Sequence, residues 1–222
     1  MRDEAVKHFG LSPHRISVIP YGIDERFLTT ATDDHLATTR RKYGIDGPYI
    51  LAVGDIHPRK NLGRLFEAFS IMSHRDGLKL VLVGKPLWKT SELFDSIKRS
   101  GLEDCVVATG YVDAADLPPL YQAANVFCYP SLYEGFGFPI IEGMASGVPV
   151  AASRASSCPD VGGDAVAYFD PTSVEDIAGT LDRLVSDDEL RNRLVLAGWK
   201  RVREFSWEKT ARQTMDVYRS LA

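Results

Sequence analysis

YILAVGDIHPRKNLGRLFEAF, Tyr49 to Phe69, moves from one hydrophobic period to another within a single stretch. Tyr49 to Val53 is a short apolar run bounded by Gly54, the pattern of a strand covered on both faces. Leu62, Leu65, Phe66 and Phe69 then recur at the spacing that places side chains on one face of a helix. Between them Gly54 lets the chain leave the strand tightly, and Pro58 stiffens the loop. Arg59 and Lys60 bring two adjacent positive charges to the start of a helix that begins near Asn61. A strand, a glycine exit and a helix are the parts of a parallel crossover unit.

The same alternation continues along the chain. Further strands are predicted at Ile16 to Ile19, Lys79 to Val83, Val106 to Thr109, Val126 to Tyr129, Pro149 to Ala152 and Ala165 to Phe169. Helical stripes lie at Leu93 and Ile97 and at Leu117, Leu120 and Tyr121. After Asp170 the pattern turns all-helical. Ser173 with Asp176 opens one helix in capping-box manner, a second runs from about Asp188 to Glu204, and Ser206 caps a third to Leu221. The expected class is α/β, a doubly wound parallel sheet with extra C-terminal helices. In such sheets ligands sit beyond the carboxyl ends of the strands.

Composition narrows the chemistry. The chain has 222 residues, 45% hydrophobic and 25% charged, the balance of a soluble globular protein. Its net charge of −4 leaves no cationic surplus to displace counterions, so no nucleic-acid partner is expected. The longest apolar runs fall far short of the roughly 20 residues a bilayer-spanning helix needs. MRDEAVKHFG has no apolar signal core, which points to the cytoplasm. Cys105, Cys128 and Cys158 are too scattered for a disulfide framework and read as buried, reduced thiols; the histidines show no paired spacing, so no metal is predicted.

Four strand ends carry candidate chemistry. Arg59 and Lys60, with the helix N–H groups beyond them, suit a diphosphate, although an isolated Arg-Lys pair is more often a solvated surface. After Val83 come Gly84, Lys85 and Pro86; the missing upstream glycines, and Pro86 where a P-loop needs Ser or Thr, exclude that motif and leave Lys85 as a third phosphate contact or a plain surface lysine. No G-x-G-x-x-G opens a helix after the first strand, which disfavours nicotinamide and flavin chemistry. Thr109 to Val112 leads into a polar turn at Asp113 able to offer backbone groups to a flat ring.

The fourth end, PSLYEGFGFPIIEGMASGVPV from Pro130 to Val150, is the most informative. Gly135 and Gly137 allow close backbone approach, and Pro139 sets where the next helix points its free N–H groups. Glu134 precedes that helix and Glu142 lies within it, 8 positions on. Carboxylates accept paired hydrogen bonds from vicinal hydroxyls such as those of a ribose or a hexose. Glu134 also fits a helix-capping charge. Glu142, among Ile140, Ile141, Met144 and Ala145, would be costly to bury without a use.

With these motifs the chain resembles the retaining glycosyltransferases of family 4, in particular the Rossmann-like, nucleotide-sugar-binding C-terminal half of their GT-B fold. The landmarks are VIPYGID (Val18 to Asp24), LAVGDIHPRKNL (Leu51 to Leu62), LVLVGK (Leu80 to Lys85), GYVDAADLPPLY (Gly110 to Tyr121), EGFGFPIIEGMASGVPV (Glu134 to Val150) and FDP (Phe169 to Pro171). The resemblance implies that Arg59 and Lys60 neutralise the donor diphosphate, with Gly54 and Lys85 beside them. It implies that Glu134, Gly135, Phe136, Gly137 and Phe138 hold the donor sugar and its phosphate. Glu142 would take the ribose hydroxyls, Ile141 would pack beside the nucleoside, and the main chain around Val112 would receive the base. Glu134, Arg59 and Lys60 would be the catalytic groups. No metal and no cofactor beyond the nucleoside-diphosphate sugar is implied.

Two positions depart from the family pattern: Asp55, where Arg, Ser or Thr is common, and Asp160 in SSCPD, where Glu is usual. The junction motif VIPYGID stands at residues 18–24. The whole of 1–222 is therefore expected to be one donor domain, with 1–24 an interdomain linker, 206–221 a crossover helix and no N-terminal acceptor domain. The crossover helix should expose Met215, Val217, Tyr218 and Leu221. The expected function is transfer of a hexose from GDP-mannose or a UDP-hexose to a glycan or lipid-linked acceptor, with donor binding but not transfer retained by this chain alone. The acceptor, and any peripheral contact with a membrane, would come through the absent half. The rival readings are a non-catalytic nucleotide-sugar-binding module and an epimerase or phosphorylase of the same fold.

Overall fold

The computed structural model describes the backbone of residues 2–85 and 90–221, and the side chains of 4–85 and 95–221. Pro86 and the stripe residue Leu93 lie outside that description. Six strands form one parallel sheet: β1 Tyr49–Val53, β2 Lys79–Val83, β3 Val106–Gly110, β4 Val126–Tyr129, β5 Val150–Ser153 and β6 Val166–Phe169. Their order is β3-β2-β1-β4-β5-β6, so the winding reverses between β1 and β4. Every pairing is parallel, with Leu51 opposite Val81 on one side and Phe127 on the other.

The strands read as continuous apolar runs because helices cover both faces. Tyr49, Leu51, Val81, Val83, Phe127 and Tyr129 point into one core layer, whereas Ile50, Ala52, Leu80, Leu82, Val126 and Cys128 point into the other. The first layer is closed by α2 (Asp33–Lys42), α5 (Leu117–Gln122), α6 (Phe138–Ala145), α7 (Cys158–Gly162) and α9 (Asp188–Val202). The second is closed by α3 (Leu62–Ile71), α4 (Thr90–Arg99) and α8 (Val174–Ser186). Two further helices, α1 (Arg2–Phe9) and α10 (Trp207–Leu221), begin and end the chain.

The α/β expectation holds, with all six strands at or within one residue of their predicted bounds. The predicted strand Ile16 to Ile19 is not one. Its Ile-Ser-Val-Ile pattern has strand composition, but no ladder reaches it, because β3 and β6 are the sheet's edges. The segment instead lines a cleft of about 460 Å³ beside Phe136 and Phe205. The predicted capping box at Ser173 is half made: Ser173 Oγ accepts from the Asp176 N–H at 3.1 Å, but the Asp176 carboxylate turns to the Asp170 N–H at 2.7 Å. Cys128 and Cys158 are buried free thiols, while Cys105 is only half-buried. On α10, Met215, Tyr218 and Leu221 are exposed as expected, but Val217 is half-buried. Among the described residues no helix is long and apolar enough to cross a membrane.

Candidate functional site

Three glycines end neighbouring strands and bring their backbones together. The Gly54 N–H donates to the Val83 carbonyl and the Gly84 N–H to that of Gly110, each at 2.9 Å. All three adopt positive φ, +137° at Gly54, +152° at Gly84 and +70° at Gly110. Beside this row, at the β1/β4 switch point, the loop after β1 closes into a 3-10 turn, Pro58–Lys60. His57 Nδ1 accepts from the Arg59 N–H at 3.1 Å, and Asn61 follows in the left-handed conformation. The Asn61 amide donates to the Pro130 carbonyl at 3.1 Å and to the Pro171 carbonyl at 2.7 Å, tying the turn to the loops after β4 and β6.

Arg59 and Lys60 converge on one carboxylate. Arg59 Nη1 lies 2.6 Å from Glu134 Oε2 and Lys60 Nζ lies 2.9 Å from Glu134 Oε1. Lys60 also donates to the Tyr129 hydroxyl at 3.0 Å and sits 4.7 Å above that ring, while Arg59 donates to the Tyr133 carbonyl at 2.7 Å. The Lys60 side chain is 12% exposed and that of Arg59 40%, so Lys60 is the inner cation. Burial raises the Glu134 carboxyl, but hydrogen bonds from Lys60 and Arg59 outweigh it and hold its pKa below the usual value.

Behind this pair, the SSCPD loop clamps the glycine-rich elbow. Ser156, at φ +56°, donates to the Glu134 carbonyl at 2.7 Å; Ser157 shares its hydroxyl between the carbonyls of Glu134 at 3.0 Å and Phe136 at 2.7 Å. Gly137 caps α6 with φ +110°, and Pro139 occupies its first turn. Tyr21 then packs against both Phe136 and Phe138, with ring centroids 5.3 and 5.2 Å apart.

Glu142 stands at the other end of an aromatic ladder. Tyr129, Phe127 and Tyr121 follow one another at 6.0 and 5.0 Å between centroids, and the Tyr121 hydroxyl donates to Glu142 Oε2 at 2.9 Å. Burial raises the Glu142 pKa; the Tyr121 hydrogen bond opposes this without cancelling it, and Asp24 adds to the rise. Burial, followed by the charge of Glu142, also pushes Tyr121 well above its ordinary value.

The two glutamates therefore oppose each other in pH dependence. Folded Glu134 binds its proton less tightly than the unfolded chain, so its contribution to stability is present above the reference value of 4.5 and is lost as pH falls below it. Folded Glu142 binds its proton more tightly, so it costs stability once pH rises through its elevated pKa. At neutral pH, Glu134→Gln is expected to lower the Tm and Glu142→Gln to raise it; the Glu142 difference shrinks as pH falls towards 4.5, the Glu134 difference only below it. Thermal melts across that range check this; shifts of the same sign would refute it.

Not every candidate lies in this cluster. Lys85 is exposed, its ammonium 4.7 Å above the Tyr111 ring rather than beside Glu134, and its N–H donates to Asp55 at 3.2 Å. Asp55, a departure from the family pattern, thus fastens the β2 exit to the β1 exit. Val112 and Ile141 are enclosed in the core, so neither offers side-chain surface. The turn that starts at Val112 is held from α2, where Lys42 pairs with Asp113 at 2.7 Å and with Asp116 at 2.6 Å. Tyr129, Asn61 and Ser157 escaped sequence reading, because an apolar strand, a helix start and a serine pair carry no signal of their partners. Among the described residues no cluster of His, Cys, Asp or Glu could hold a metal ion.

A parallel sheet in the order 3-2-1-4-5-6, with two cations and a carboxylate gathered at its switch point, defines a doubly wound α/β protein. The family model described as "Glycosyl transferases group 1" matches residues 37–201, and the chain belongs to that family. It is 33% identical over 222 residues to O-antigen chain mannosyltransferase B of Escherichia coli, covering 99% of this chain and 58% of the relative. The fold matches a glycosyltransferase from Rickettsia africae with a TM-score of 0.90 at 22% identity, over 99% of this chain and 60% of that one. It also matches Anabaena HepE, solved in complex with UDP and glucose, with a TM-score of 0.87 at 22% identity, over 98% of this chain and 60% of that one. The chain thus spans a little over half the length of these proteins.

Proposed function

We propose that the chain is the donor-binding part of a retaining hexosyltransferase that takes a nucleoside-diphosphate sugar, GDP-mannose before UDP-hexoses. The convergence of Arg59 and Lys60 on Glu134, with Glu142 across the Tyr129–Phe127–Tyr121 ladder, carries this reading. The name of the E. coli relative supports mannose, and the UDP complex of HepE supports a nucleoside diphosphate in a cleft of this architecture. Glu134 holds the two cations side by side in advance, which lowers the cost of organising them around a diphosphate. When the bond between the anomeric carbon and the phosphate oxygen breaks, its electron pair stays on the diphosphate. Lys60, Arg59 and the N–H groups at the start of α6 are placed to stabilise that charge. The acceptor oxygen forms the new bond to the anomeric carbon on the face the diphosphate leaves, and its proton passes to the departing phosphate oxygen.

Glu142 accepts hydrogen bonds from the ribose hydroxyls, and the elbow from Glu134 to Phe138 holds the sugar. The Gly110–Val112 main chain takes the base. The donor needs no resident metal in this scheme. The acceptor, a glycan or a lipid-linked glycan on the cytoplasmic side of a membrane, is assigned to the part of the relatives' length that this chain does not span.

Calorimetric titration with GDP and UDP tests the reading, and saturable binding of at least one is expected; no heat with either at millimolar ligand would refute it. Glu142→Ala should weaken GDP or UDP by about tenfold and leave inorganic pyrophosphate unchanged. Equal losses would remove the ribose assignment.

A further inference from the structure

A second concavity lies away from the glutamate cluster, on the outer side of α6 and α9. It is a groove of about 880 Å³ between the 23–36 segment and the 199–208 segment, within the size range of small-ligand sites. Two indoles line it. Trp199 is 48% exposed and Trp207 51%, and each is seated on a glycine. A Cβ on Gly147 would lie 3.1 Å from Trp199 Cζ2; one on Gly22 would lie 2.6 Å from Trp207 Cγ and 2.2 Å from its backbone nitrogen. Both rings are therefore backed by main chain on one side, a fixed arrangement that costs little ordering on binding.

The opposite wall is held as well. The Gln122 side chain accepts from the Ala31 N–H and donates to the Thr29 carbonyl, each at 2.8 Å, which pins this wall to α5. Around the indoles stand Glu25, Asp33, Glu208 and Arg203, all exposed groove-lining charges, with Glu208 already paired to Arg212 at 2.6 Å. A phosphate there would meet Glu25 and Asp33, and a cation would meet Arg203. A neutral polyol suits all four, since carboxylates accept from hydroxyls and guanidinium donates to them. The C–H face of a pyranose packs on the negative face of an aromatic ring.

We propose that this groove is a second saccharide site that holds a neutral oligosaccharide segment away from the reaction centre. Segment 23–28 connects the two sites: Ile23, Glu25 and Phe27 line the groove, while Asp24 and Arg26 bear on Glu142. Tethering a growing chain beside the donor cleft raises its effective concentration there. The choice of mannose as the sugar rests on the proposed function; the preference for a neutral sugar chain does not.

The test is titration of the 222-residue chain with α-linked mannotetraose, followed through the indole Nε1–H resonances of Trp199 and Trp207. Saturable shifts of both are expected, weakened about tenfold or more by Trp199→Ala and largely kept by Trp199→Phe. GDP and UDP binding in these variants should equal that of the unaltered chain, which also certifies folding. If neither variant folds, competition of mannotetraose with N-bromosuccinimide oxidation of the indoles in the unaltered chain decides, protection being expected. Maltotetraose binding equally well would retain the site and remove its link to mannose. No shift and no protection with either sugar would overturn the site, as would a dimer that Trp199→Ala dissolves, which would assign the groove to a second copy. Sugar binding without nucleotide binding would uphold the groove while refuting the donor reading.

Discussion

Lys60→Ala is expected to weaken GDP or UDP binding by about a hundredfold, some 2.7 kcal/mol, and to do so more than Arg59→Ala. Lys60 is the inner of the two cations, and its ammonium reaches both Glu134 and Tyr129. Charge-assisted contacts that exclude water are worth most where the group is most buried. Arg59 is more exposed and shares its guanidinium with the Tyr133 carbonyl, so its loss is softened by solvent and salt. Lys60→Ala also leaves Glu134 with Arg59 as its one remaining cation, so its carboxyl should titrate at higher pH than in the unaltered chain. Calorimetry on the two variants, with an acid titration of each, checks the order. A Lys60→Ala protein that binds nucleotide like the unaltered chain would show that the diphosphate lies elsewhere.

Gly84→Ala is expected to cost about 3–5 kcal/mol of stability and about 10 °C of Tm. Its φ of +152° disfavours any side chain, and the new Cβ would sit 2.1 Å from the Gly54 carbonyl oxygen. That neighbour is backbone, so no rotamer change relieves the clash. Gly63 is the control: it lies inside α3 with open space around it, and Gly63→Ala should add about 0.5–1 kcal/mol by helix propensity. Denaturant unfolding of both variants separates a local clash from a general intolerance of glycine replacement. A Gly84→Ala protein within about 1 kcal/mol of the unaltered chain would mean the β1 and β2 exits can part freely.

Much of this arrangement was legible in the sequence because period and punctuation agree. Tyr49 to Val53, Lys79 to Val83 and Val126 to Tyr129 are apolar on both faces and end on Gly or Pro, so they coincide with β1, β2 and β4. Ile16 to Ile19 has the same composition and fails, because a strand also requires a neighbour to pair with, and composition does not report neighbours. Arg59, Lys60 and Glu134 could be listed from their motifs, but that both cations meet one carboxylate depends on the turn geometry after β1. Helix α2 was not foreseen: DDHLATTRRK has little apolar stripe, and its Thr32 cap and basic end hold it without one. Ile141 reads as a ligand neighbour in the motif, yet its place on the inner face of α6 encloses it in the core.

Asn61 carries no charge, takes a backbone conformation most residues avoid, and spends both of its amide hydrogens on carbonyls that are 130 and 171 in chain order. Its oxygen is also used, by Arg64 at 3.0 Å. Neither an acid nor an aliphatic residue can supply that pair of donors. The height of the neighbouring cations above the sheet is thus set by a neutral peg, and homologous chains that vary at this peg would be tuned in reach rather than in charge.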